Sequence, residues 1–139
     1  MPDPDAVREA AGAWLQSARG DLVAASALLA AKDIDPAIVA FHAQQAAEKA
    51  LKALLVLAGV GFARTHDLAH LAPAVASTTP SVGGRLPSDE ALEWLTQIGQ
   101  RSRYPDYGAL VGPDRDQAGQ AVALAAEVVA TAGQVVDAE

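Results

Sequence analysis

The sequence predicts an all-α fold, an up-and-down bundle of four principal helices plus one short helix, and three observations carry that expectation. Half of the 139 residues are hydrophobic, yet aromatics make up only 4%. A core built mostly of Ala, Val and Leu suits helices packed side by side better than a sandwich or barrel. Apolar residues recur at steps of three and four over long stretches, the spacing of one helix face. No run alternates with the period of two that marks a strand, and no repeat or low-complexity segment breaks the pattern. At this length one core is expected, so residues 1–139 should form one domain with its core over about 5–136.

In chain order, Pro2 and Pro4 read as loose, and a first helix should run from about Asp5 to Ala31. Its face is Trp14, Ala18, Leu22, Ala25 and Leu29, with Asp21 beside the stripe. Asp35 followed by Pro36 starts a second helix, a capping carboxylate and then proline at the first helical position. Gly59 and Gly61 supply the φ > 0 freedom that ends it. Thr65 or Asp67 caps a third, short helix through Leu71, which Pro73 ends or kinks. Ser77 to Ser88 is rich in Thr, Ser, Gly and Pro and reads as a loop. Ser88, with Asp89 and Glu90 in the first turn, opens a fourth helix whose face is Ala91, Trp94, Leu95 and Ile98, stopping near Tyr104-Pro105. After the turn-rich Asp106 to Pro113, Asp114 with Gln117 three residues on forms a capping box for the last helix. Its narrow seam is Ala118, Val122, Ala125, Val129, Ala132 and Val136.

Composition also excludes. There is no cysteine, which removes disulfides, thiolate nucleophiles and cysteine-based zinc sites. The opening Met-Pro-Asp-Pro-Asp is acidic and lacks the basic and apolar regions of an export signal. The longest apolar run, Ala53 to Ala63, falls short of the roughly 20 residues needed to cross a bilayer, so the expectation is a soluble, cytoplasmic protein with no membrane partner. Ten basic and seventeen acidic residues give a net charge of −7, unsuited to broad binding of polyanions. Between Phe41 and Arg103, however, six basic residues outnumber five acidic ones. A phosphate, if bound, belongs at the middle of the chain.

That middle contains a conflict. Phe41, Gln45, Glu48, Lys52 and Leu55 share one helix stripe, polar where core is expected, while Ala43, Ala46, Ala47, Ala50, Leu51 and Leu54 make a small apolar stripe fit for close helix packing. Either Glu48 and Lys52 form an exposed i,i+4 pair with Gln45 solvated, or the polar stripe lies under a neighbouring segment or at a subunit contact and orders a site.

The chain has three histidines, His42, His66 and His70. Their spacing matches no metal-ligand motif, and no Gly-rich phosphate loop is present, so neither a metal nor a cofactor is expected. Arg64-Thr-His-Asp-Leu-Ala-His70 gathers an arginine able to hold a phosphate and two histidines able to exchange a proton near neutral pH. These are the minimum for metal-free cleavage of an RNA phosphodiester, though Thr65 and His66 would also serve simply to begin a helix. Arg101-Ser-Arg-Tyr-Pro-Asp106 places two arginines and a tyrosine at a helix end, where they would receive a phosphate and stack a base, or bridge to Glu48 or Asp21.

Asp21-Leu22 with Ala25 and Leu28-Leu29, then Gln44-Gln45-Ala-Ala-Glu48-Lys49-Ala-Leu-Lys52-Ala-Leu-Leu, then Thr65-His66-Asp67-Leu68, then Arg103-Tyr104-Pro105-Asp106 resemble the HEPN domain family in order and spacing, over roughly Trp14 to Ala126. The resemblance implies a helical bundle, usually a homodimer, often paired with a minimal nucleotidyltransferase in a two-component, toxin–antitoxin-like module, and associated with nucleotides or RNA. Some branches are metal-independent endoribonucleases, with arginine followed four to six residues later by histidine near a late helix. Here no histidine follows Arg101 and Arg103, so that motif is absent; Arg64 and His70 have the spacing but stand earlier in the chain. The expected phosphate- or nucleotide-binding residues are Gln45, Glu48, Lys52, Arg101, Arg103, Tyr104 and Asp106. The candidate catalytic residues are Arg64, His66 and His70. An endoribonuclease and a purely structural dimerisation domain are the alternatives to a binding module.

Overall fold

The computed structural model describes residues 2–62, 64–101 and 112–138. Six helices are seen among them: α1 (Pro4–Ala30), α2 (Pro36–Leu57), α3 (Leu68–Thr78), α4 (Pro80–Gly83), α5 (Asp89–Arg101) and α6 (Arg115–Val136). The four long helices match the expected principal ones, and the fold is all-α.

Two helices begin with the same device. Asp3 accepts from the Asp5 amide at 3.0 Å ahead of Pro4, and Asp35 accepts from the Ala37 amide at 2.9 Å ahead of Pro36. In both the carboxylate takes an orphan donor, and proline, which lacks the amide hydrogen, costs nothing at the first position. Pro4 is therefore the first residue of α1 and not part of a loose end. At its other end α2 closes in a Schellman motif. Val60 N–H reaches the Leu55 carbonyl and Gly59 N–H that of Val56, each at 3.0 Å, with Gly59 at φ 74°. The capping box of α6 is complete in both directions, at 2.8 Å and 3.0 Å between Asp114 and Gln117.

The middle of the chain departs from expectation. Asp67 caps α3 through the Ala69 amide, but α3 runs on through Pro73 to Thr78, and Ser77 to Ser88 contains the end of α3 and all of α4 rather than an unbroken loop. Proline costs the helix its bond to the Ala69 carbonyl. Burial of Leu71, Ala72 and Val75 on either side of it, and of Val82 in α4, offsets that loss.

Helix α2 is the centre of the molecule and packs against α1, α3, α5 and α6. It is buried on nearly every side, with Ala43, Ala46, Ala47, Ala50 and Ala53 fully enclosed. Most of the buried positions of α1 and α6 that pack in the same core are equally small, Ala18 and Ala25 of α1 and Ala118, Ala121, Ala125 and Ala132 of α6, which lets the backbones approach. The buried face of α6 is wider than the expected seam, since it also takes in Ala121 and Val128. On α5 the buried apolar residues are Leu92, Leu95 and Ile98, with Ala91 and Trp94 half-buried. Among the described residues α6 alone is long and apolar enough to cross a membrane, with a mean hydropathy of 1.3 over its most apolar window. Here one face of it, Ala118, Ala121, Ala125, Val128, Val129 and Ala132, is packed into the bundle core.

Candidate functional site

The site is built on the segment between α2 and α3, which two helices grip. From α2, the Gln44 side-chain amide donates to the His66 carbonyl at 2.7 Å, and Glu48 Oε1 lies 2.9 Å from His66 Nδ1. From α5, the Thr96 hydroxyl accepts from the Leu68 amide at 3.0 Å while donating to the Leu92 carbonyl, so the first orphan N–H of α3 is satisfied by a neighbouring helix. Thr65 braces the turn from within by accepting from the Asp67 amide at 3.1 Å. Backbone and ring of His66 are both held.

Below this segment the polar stripe of α2 is enclosed. Glu48 is 4% exposed and Lys52 8%, and Lys52 Nζ donates to Glu48 Oε2 at 2.9 Å. The ammonium also lies 5.7 Å from the Trp14 ring centre and 5.2 Å from that of Phe62, two rings set edge to face, which stabilises a cation withdrawn from water. Gln44 Nε2 donates to Glu48 Oε1 at 3.2 Å, and Gln45 Nε2 to Gln44 Oε1 at 2.9 Å. The pair is thus no exposed i,i+4 bridge; it lies under Trp14, Phe62 and the His66 segment. Burial pushes the Glu48 carboxyl up, but hydrogen bonds from Lys52, His66 and Gln44, with the charge of Lys52, outweigh it and hold the pKa below its ordinary value.

Helix α5 crosses directly over this network. A Cβ on Gly99 would stand 2.5 Å from Gln44 Cβ, so only glycine permits the approach. A second cluster lies along α2 where it meets α1: Asp21 accepts from Lys49 Nζ at 2.6 Å and lies 3.2 Å from His42 Nδ1.

Of the predicted site residues, the structure therefore brings Gln45, Glu48, Lys52 and His66 together. The side chains of Arg64 and His70 are exposed and make no hydrogen bond or ion pair with the described residues. Lys52 faces Glu48 and the two rings rather than solvent. Arg101 is the last residue of α5, and Arg103, Tyr104 and Asp106 lie outside the described residues. Gln44, Thr96, Gly99, Trp14 and Phe62 were not predicted as site residues. Gln44 stands four residues before Glu48, a spacing that already sets the two on one face; Trp14, Thr96 and Gly99 are joined to the site only by helix crossings, and Phe62 by the turn of the chain after α2. Among the described residues no three histidine, aspartate or glutamate side chains converge where a metal ion would sit.

The HEPN domain family matches the chain over residues 11–135. The chain belongs to that family. Neither a curated relative nor a solved structure matches it. Membership places this HEPN chain among helical modules associated with nucleotides and RNA, and the match takes in the whole gripped segment and the helices that hold it.

Proposed function

We propose that this HEPN domain is a nucleotide- or RNA-binding module that works as a cytoplasmic homodimer with a minimal nucleotidyltransferase partner in a toxin–antitoxin-like pair. Arg64, with Arg101 and Arg103, contacts phosphate, and Tyr104 and Asp106 complete the ligand surface. Gln45, Glu48 and Lys52 act from beneath it by holding the segment that carries Arg64. The observation that supports this reading most is the double grip on His66, by Gln44 at 2.7 Å and Glu48 at 2.9 Å, next to an exposed arginine with no acidic partner among the described residues. Fixing a short segment from below leaves its outward groups preorganised for an anion.

Calorimetric titration with 5′-AMP and with a short RNA tests it. Arg64→Ala and Arg103→Ala should each weaken binding about tenfold, the scale of one lost charge-assisted contact, with helicity unchanged. Unaltered affinity in both variants defeats the reading.

A second reading, metal-independent cleavage of RNA, is favoured by one observation: a half-exposed imidazole hydrogen-bonded to a buried carboxylate is the arrangement of an oriented acid–base group. It selects His66 over His70, whose side chain has no partner among the described residues. RNA cleavage in EDTA that disappears in both Arg64→Ala and His66→Ala is its expected result, and cleavage that survives both sinks it.

A further inference from the structure

The hydrogen bonds around Glu48 settle which nitrogen of His66 carries the proton. The His66 carbonyl can only accept, so the Gln44 group facing it at 2.7 Å is the amide nitrogen, whose other hydrogen is directed to Glu48 Oε1 at 3.2 Å. The Lys52 ammonium can only donate, and it takes Glu48 Oε2 at 2.9 Å. The buried ammonium at this distance pairs with a carboxylate and not with a neutral carboxyl, and the lowered pKa of Glu48 agrees. An ionised carboxylate 2.9 Å from His66 Nδ1 requires hydrogen on that nitrogen. In the neutral ring Nε2 then carries a lone pair. It makes no hydrogen bond to the described residues, and half of the side chain is exposed.

We infer that His66 is a specificity-determining residue: with its proton fixed on Nδ1 by Glu48, it offers Nε2 as an acceptor to a ligand hydroxyl, so that the site prefers ribonucleotides to their 2′-deoxy counterparts. The proposed phosphate-binding function underlies the ligand half of this inference. Arg64, two residues before His66, supplies donors for a phosphate but nothing that reads the sugar. A lone pair nearby does read it, because the 2′-hydroxyl is the donor that RNA has and DNA lacks. Glu48 and Gln44 are positioning residues for this contact, acting through the ring and the backbone of His66.

The test begins with nitrogen-15 NMR of the full chain at a pH where the ring is neutral. The expected pattern is a protonated Nδ1 and an unprotonated Nε2; the opposite pattern overturns the inference whatever the protein binds. Titration with a short oligouridylate and its 2′-deoxy counterpart should then show the ribo form binding about tenfold more tightly, with the Nε2 resonance moving on binding. Glu48→Met combined with Lys52→Met replaces the buried ion pair by apolar side chains, a change that such sites tolerate. In that variant the ring loses its acceptor, its proton should move to Nε2, and the two affinities should converge. If the variant does not fold, the wild-type tautomer and affinity ratio decide alone. Equal wild-type affinities overturn this inference and leave the proposed function standing. Binding of neither oligonucleotide overturns the sugar preference, and defeats the function as well where 5′-AMP also fails to bind.

Discussion

Helix α2 carries two clusters of the same composition, a carboxylate with one histidine and one lysine, and they do different work. Asp21 of α1 takes Lys49 and His42 from α2 at 2.6 Å and 3.2 Å, with side chains 16 to 30% exposed. Glu48 takes Lys52 and His66, each at 2.9 Å, and its side chain is 5% exposed. Water competes for every hydrogen bond in the first cluster, so it adds little beyond fastening two helices already packed through alanines. In the second, water is replaced by Trp14, Phe62 and Gln44, so each charge depends on the other. One cluster joins helix to helix; the other reaches off the helix and holds a connecting segment in a set orientation. Burial, rather than residue type, separates packing from presentation.

The largest expected effect lies on the buried side. Glu48→Ala leaves the Lys52 ammonium enclosed without its anion and should cost about 3–5 kcal/mol in urea unfolding at pH 7; a loss below about 1 kcal/mol would erase the distinction between the clusters. Next is the helix crossing above the network. Gly99→Ala forces a methyl against Gln44 and should destabilise by about 1–3 kcal/mol, accompanied by a changed His66 NMR signal, because Gln44 holds the His66 carbonyl.

Acid distinguishes the clusters more gently. The pKa of Glu48 is lowered on folding, so its contribution is fully present above the unfolded glutamate value of about 4.3 and is lost as pH falls through the lower folded value. Unfolding free energies measured between pH 6 and pH 3 should fall for the wild type, and Glu48→Gln should flatten that part of the decline. An identical acid slope in the variant would mean that other carboxylates cause it. The smallest effect belongs to the partly exposed cluster: Asp21→Ala should cost about 0.2–1 kcal/mol and less in high salt, a loss read from the same urea curves with and without roughly 1 M NaCl. A salt-independent loss above that range would show that the two clusters are energetically alike.

Much of this was legible beforehand because it rests on local signals. Asp35-Pro36, Asp114 with Gln117, Ser88 ahead of Asp89 and Glu90, and Gly59 each act on backbone groups within a few residues of themselves, and each stands where the reading put it. The unusual polarity of the Gln45–Glu48–Lys52 stripe was visible as well, and it pointed to the right helix. Its meaning was not visible, since an i,i+4 pair has the same spacing in water and under two aromatic rings. Pro73 misled for the opposite reason: its local rule was sound, but the burial of Leu71, Ala72 and Val75 overrode it.

The sequence by itself determined the helical class, the family, and most helix ends, because period and capping depend on neighbours along the chain. It also placed His66 and Arg64 on one short segment. Only the tertiary structure decided that Gln44 and Glu48 take hold of His66, that Lys52 turns inward to Trp14 and Phe62, and that Gly99 lets α5 lie across Gln44. Those contacts join residues from 10 to 55 positions apart in the chain (Lys52 to Phe62, Gln44 to Gly99), and their value depends on the exclusion of water, which exists only once the helices have closed around them.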